Sequence, residues 1–164
     1  IKYAPIAVTY PEDYSARANR AWASSLAVNG ILGSGKNGAW SVHPIEHELS
    51  AYYDLTHGIG LAILTPPWMR HILNEDTVDK FCEYGVNVWK LPSDMPRFDL
   101  ANAAIDATET FFETLKIPMT LHEVGIDESK FEVMAKKAVE LGGLAYAYVP
   151  MNEKDVIEIL EACK

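Results

Sequence analysis

His43-Pro44-Ile45-Glu46-His47-Glu48-Leu49-Ser50-Ala51-Tyr52-Tyr53-Asp54-Leu55-Thr56-His57-Gly58-Ile59-Gly60-Leu61-Ala62-Ile63-Leu64-Thr65-Pro66 holds three of the five histidines of a 164-residue chain. Ser41, just ahead of it, is a good N-cap and Pro44 suits a first helical turn, so a helix is predicted from there to about Tyr53. From Gly58 to Leu73 the residues are almost continuously apolar, which predicts a buried helix that stops or kinks at Pro66-Pro67 and then resumes. His43 and His47 stand one helical turn apart and share a face, and His57 can approach that face from the side. Neutral imidazoles bind zinc or ferrous iron through one ring nitrogen, so a converging set is a candidate metal site. Surface histidines hydrogen-bonded to carboxylates fit the spacing equally well.

Outward from this segment, a short extended entry is expected, then a helix over residues 11–29 that opens with Pro11, places Glu12 and Asp13 near its positive end and carries Trp22 and Leu26 at helical spacing. Gly30, Gly33, Gly35 and Gly38 release the chain into a loop. Further helices are predicted over 76–84, 99–116, from a cap at Asp127 to Gly142-Gly143, and from a capping box at Asn152 and Asp155 to about Glu161. Leu144 to Val149 has no partner strand and is expected to dock as extended chain. The sum is a single all-α domain of seven or eight helices over residues 1–164.

With 49% apolar and 23% charged residues, the chain has the composition of an ordinary globular domain with one core. A formal net charge of -9, with Lys and Arg scattered, argues against nucleic acid as a partner. No run is long and apolar enough for a membrane span, and two distant cysteines, Cys82 and Cys163, fit a reducing compartment, so a cytoplasmic location is expected.

The segment from His43 to Pro66 closely resembles the histidine signature of the iron-containing (group III) alcohol dehydrogenases, and within them the NADH-dependent butanol dehydrogenase branch. A weaker likeness covers the preceding Ala-rich helix with Trp22 and Gly30, and Ile117-Pro118 to Gly125. The resemblance implies the helical, metal-binding C-terminal domain of that dehydroquinate synthase-like fold, acting in NAD(P)H-dependent, metal-assisted hydride transfer between primary alcohols and aldehydes. It implies that His43 and His57 bind a divalent ion, iron or zinc, and that His47 sits beside the metal as the candidate catalytic group. The family's other two ligands, an aspartate and a histidine four residues apart, have no counterpart here, because no Asp-x-x-x-His occurs in the chain. The resemblance also implies a partner, an N-terminal nucleotide-binding α/β domain, in a protein that is a homodimer when full length. The isolated chain is expected to hold metal weakly and to be inactive. A self-contained helical-bundle metal protein built on His43, His47 and His57 is the alternative.

Other motifs carry less. Gly30-Ile31-Leu32-Gly33-Ser34-Gly35-Lys36-Asn37 matches a phosphate-binding loop except at Asn37, but it follows a helix rather than a strand, so Gly30 is read as a helix end. His47-Glu48-Leu49-Ser50-Ala51 starts like a zinc protease motif and fails at Ala51. His71 and His122 are expected to meet a carbonyl or solvent. Trp22, Trp40, Tyr52, Tyr53, Trp68 and Trp89 are expected in the core or lining an apolar pocket. Glu46, Glu48 and Asp54 are either solvated or orient an imidazole through its second nitrogen. Gly58 and Gly60 either let the buried helix approach the site or only pack.

Overall fold

The computed structural model describes residues 1–35 and 40–164, and in them the chain forms eight α-helices and no β-strand. They are α1 (Tyr3–Thr9), α2 (Tyr14–Val28), α3 (Val42–Tyr53), α4 (His57–Ile72), α5 (Val78–Tyr84), α6 (Arg97–Thr114), α7 (Phe131–Gly142) and α8 (Glu153–Glu161). The all-α expectation holds. Lys36 and Asn37, the end of the phosphate-loop-like run, and Gly38, the last of the four loop glycines, lie outside the described residues. Gly30 takes the left-handed conformation after α2 (φ +86°), which glycine adopts without the Cβ penalty, as read from the sequence.

Local chemistry moved two boundaries at the start. The entry is helical, not extended: Pro5 sits in the first turn of α1, where a missing N–H costs nothing, and β-branched Ile6, Val8 and Thr9 mask the propensity. The next helix begins at Tyr14, not residue 11, because the Asp13 carboxylate accepts the Ala16 N–H at 2.8 Å and so occupies the cap itself. The predicted caps at Asp127 and Asn152 are present. Asp127 accepts from the Ser129 N–H at 3.0 Å and opens a single tight turn that runs into α7, while Asn152 and Asp155 form a reciprocal capping box on α8. Leu144–Tyr146 is one 3-10 turn after Gly143 (φ +66°), not extended chain.

The larger correction is α4, which runs unbroken through Pro66 and Pro67. Each proline deletes a helical N–H and ordinarily costs about 3 kcal/mol in a helix interior. The carbonyls left without N–H partners are those of Ala62 and Ile63. The Cys163 thiol lies between the carbonyls of Ile159 (3.1 Å) and Ile63 (3.7 Å), and just ahead of the two freed carbonyls the Thr65 hydroxyl donates to Leu61 O at 2.6 Å. Burial on two sides supplies the rest. One core gathers Ile45 and Leu49 of α3, Ile63 and Leu64 of α4, Met134 and Ala138 of α7, and Ile159 and Leu160 of α8. A second gathers Ile72 of α4, Val78 and Phe81 of α5, and Ala101 and Ile105 of α6. Helix α4 is the wall common to both, so a break at the prolines would open two cores at once.

His71, near the end of α4, lies 3.3 Å from Asp155 and 3.7 Å from Glu158, tying α4 to α8 instead of meeting a carbonyl. Helices α1 and α2 pack on one another and, with the 3-10 turn after α2, leave Val8, Tyr14, Trp22, Val28, Ile31 and Leu32 exposed, so Trp22 is not a core residue here. No helix among the described residues is long and apolar enough to cross a membrane.

Cys163 is buried, and burial pushes its thiol up to about 12, whereas Cys82 is partly exposed. An aromatic disulfide reagent at pH 8 is therefore expected to modify Cys82 alone in the native chain and both thiols after denaturation. Two fast-reacting thiols in the native state would contradict the packing of α8 on α4.

Candidate metal centre

Helix α3 places its side chains on two adjacent stripes. Val42, Ile45, Glu46 and Leu49 follow the i, i+3, i+4, i+7 pattern and are all buried, while His43 and His47 occupy the neighbouring, more open stripe. The connection 54–56 then reverses the chain, with Asp54 closing α3 in the left-handed region (φ 53°), and His57 begins α4. The three imidazoles meet. Ring centroids are 5.2 Å apart for His43 and His57, 5.5 Å for His47 and His57, and 6.1 Å for His43 and His47. Donor atoms of Glu46, His47 and His57 all lie within 4.8 Å of one another.

The His43 pKa is lowered, chiefly by desolvation and then by the neighbouring His57 and His47. The ring is therefore held neutral at pH 7, with a lone pair free for a Lewis acid. The Trp40 indole stands edge-on to it at 4.0 Å. His47 and the side chain of His57 are solvent-accessible, so the cluster opens to the outside.

Beneath the imidazoles sits Glu46, with no exposed surface. One of its oxygens is hydrogen-bonded to Nδ1 of His57, and the other accepts from the Ser50 hydroxyl at 2.7 Å, a hydroxyl that also lies 2.9 Å from Leu55 O. Of the three acids near the histidines, Glu46 is thus the one that touches an imidazole. Asp54 is an exposed helix end, and Glu48 lines a cleft instead. A Cβ on Gly60 would stand 2.6 Å from Glu46 Oε1 and 2.7 Å from its Cγ, so the glycine is needed for α4 to close over the carboxylate. Gly58 has open space around it.

A cleft of about 440 Å³ runs beside His43 and His47, walled by Trp40, Pro44, Ala138 and Leu141, with Lys137 and Glu48 at its edge. Lys137 also lies over the Tyr52 ring, 4.8 Å from its centre. Gly142 closes the floor: a Cβ there would meet Pro44 Cβ at 2.2 Å. Neither the burial of Glu46 nor this α3–α7 contact was read from the sequence. For Glu46 the signal was present, since a carboxylate fills one position of an otherwise apolar stripe.

A family model for the C-terminal part of the Fe-containing alcohol dehydrogenase family matches residues 1–163, and the chain belongs to that family. It is 54% identical over 162 residues to NADH-dependent butanol dehydrogenase A of Clostridium acetobutylicum, an alignment that covers 98% of this chain and 42% of that enzyme. To the NADPH-dependent aldehyde reductase YqhD of Escherichia coli it is 39% identical over 145 residues, 87% of this chain and 36% of that one. Among solved structures it superimposes on the substrate- and cofactor-free form of that aldehyde reductase with a TM-score of 0.89 at 32% identity, covering 99% of this chain and 43% of that one. An NADH-dependent butanol dehydrogenase from Thermotoga maritima gives a TM-score of 0.88 at 29% identity, with coverages of 99% and 42%. The chain thus spans about two fifths of the length of these relatives.

Proposed function

We propose that this chain is the metal-holding helical domain of an NAD(P)H-dependent dehydrogenase that interconverts primary alcohols and aldehydes. The observation that carries this reading is the meeting of three imidazoles, one of them held neutral, beside an apolar cleft. His43 and His57 would hold a divalent cation, iron or zinc, and the donor set suits either. Such an ion, when bound, supplies Lewis acidity to a substrate oxygen. The open side of the cluster leaves room for further ligands from outside residues 1–164, and the exposed apolar side chains of α1 and α2 offer a seat for a nucleotide-binding domain that would bring the nicotinamide. The domain limits, the homodimer and the cytoplasmic location implied by the resemblance belong to the same proposal.

The protein's own groups divide the remaining work. Trp40, Pro44, Ala138 and Leu141 shelter the carbon chain of the substrate from water. His47 lines the same cleft without a carboxylate partner, which suits it to take the proton from the alcohol hydroxyl and to return it to the aldehyde oxygen in reverse. Replacing His47 with alanine in the full-length protein is expected to lower kcat roughly 10²–10⁴-fold with metal content unchanged. Loss of the metal in that variant would make His47 a ligand instead. A self-contained metal protein is separated from this reading by the chain alone: stoichiometric, tightly held metal in residues 1–164 would favour it.

A further inference from the structure

Glu46 has no role in the chemistry above, yet it is the only carboxylate with no exposed surface among the described residues. An ionised carboxylate withdrawn from water is tolerated when its oxygens are all engaged, and both oxygens of Glu46 are: the Ser50 hydroxyl on Oε1 and the His57 ring on Oε2. Gly60 leaves the space that the carboxylate fills. An ionised carboxylate only accepts, so opposite an ionised Glu46 the His57 Nδ1 is the nitrogen that donates. We propose that Glu46 is a positioning residue that fixes His57 as its Nδ1–H tautomer and turns the bare Nε2 toward the space shared with His43 and His47. This rests on the metal-site reading above and adds how one ligand is made ready before any ion arrives.

The arrangement has a chemical consequence. Neutral histidine in water prefers the Nε2–H tautomer, which would present a proton, not a lone pair, to the shared space. Tying Nδ1–H to a buried acceptor removes both the tautomer change and the ring rotation from the cost of binding, and it makes the imidazole a stronger donor. Because the His57 side chain is about half exposed, packing alone does not hold it, and the hydrogen bond to Glu46 has to do so.

The test reads the tautomer directly, in the metal-free chain at pH 8, from long-range ¹H–¹⁵N correlations of the imidazoles. The parent is expected to show His57 with Nδ1 protonated and Nε2 bare. Glu46→Gln should keep that pattern, because its amide oxygen can accept from His57 while its NH₂ donates to Ser50, whose hydroxyl turns to Leu55 O. Glu46→Met, similar in length and without an acceptor, should release His57 to the Nε2–H form and weaken Zn²⁺ binding roughly 10–100-fold, with Glu46→Gln losing less than about tenfold. A parent His57 carrying its proton on Nε2 overturns the proposal. So does Glu46→Gln losing Zn²⁺ as fully as Glu46→Met, which would make Glu46 itself a ligand. If the tautomers behave as stated and the full-length protein still binds no Zn²⁺, the positioning role stands and the metal-site reading is what fails.

Discussion

Alanine at position 43 or 57 is expected to weaken metal binding by the full-length protein more than about 100-fold, beyond the 10–100-fold typical of losing a supporting contact. The two variants should differ in stability. His43 packs against the Trp40 indole and binds no carboxylate, so His43→Ala removes a lone pair and leaves the fold nearly unchanged. His57→Ala also strips the partner from a carboxylate that has no exposed surface, and an unsatisfied buried acceptor costs about 1–3 kcal/mol. Metal analysis on equilibrated protein and thermal melts of the metal-free forms check both halves. Equal melting temperatures for the two variants would remove Glu46 from the account.

Gly142→Ala should be the most damaging single-methyl addition. The added Cβ would stand 2.2 Å from Cβ and 2.8 Å from Cγ of Pro44, a rigid ring on a buried position of α3, so neither side chain can rotate away. Helix α7 must retreat from α3. Overpacking of this kind costs about 3 kcal/mol at the upper end of its usual range, which for a chain of this size lowers Tm by roughly 6–12 °C. Since Pro44 adjoins His43, the same shift should reduce metal affinity. Gly58→Ala is the control: nothing lies within 4 Å of its Cβ, and alanine in a helix gains up to about 1 kcal/mol over glycine. A Gly142→Ala melt within 2 °C of the parent, checked by differential scanning calorimetry, would contradict the α3–α7 contact.

Much of the site was legible because it lies along a single helix and the turn that follows. The four-residue spacing of His43 and His47 sets them on one face whatever surrounds them, and His57 follows a turn short enough to bring it back. What escaped reading depends on contacts distant in sequence. Whether α4 survives Pro66 and Pro67 is decided by the two cores it walls and by a thiol from residue 163, none of which local propensity contains. The entry helix was hidden for the opposite reason: its β-branched residues are poor helix formers, and only packing against α2 reveals it. Glu46 is the intermediate case, visible as a polar residue in an apolar stripe but explained only once Gly60 and His57 close over it.

A Zn²⁺ titration of the metal-free chain, followed through the imidazole ¹⁵N resonances of all five histidines, bears most directly on whether one ion sits between positions 43 and 57. Both resonances should move together with a single dissociation constant, weaker than a complete four-ligand site would give, while His71 and His122 stay in place. Separate responses of the two, or first occupancy at His71, would contradict a shared ion.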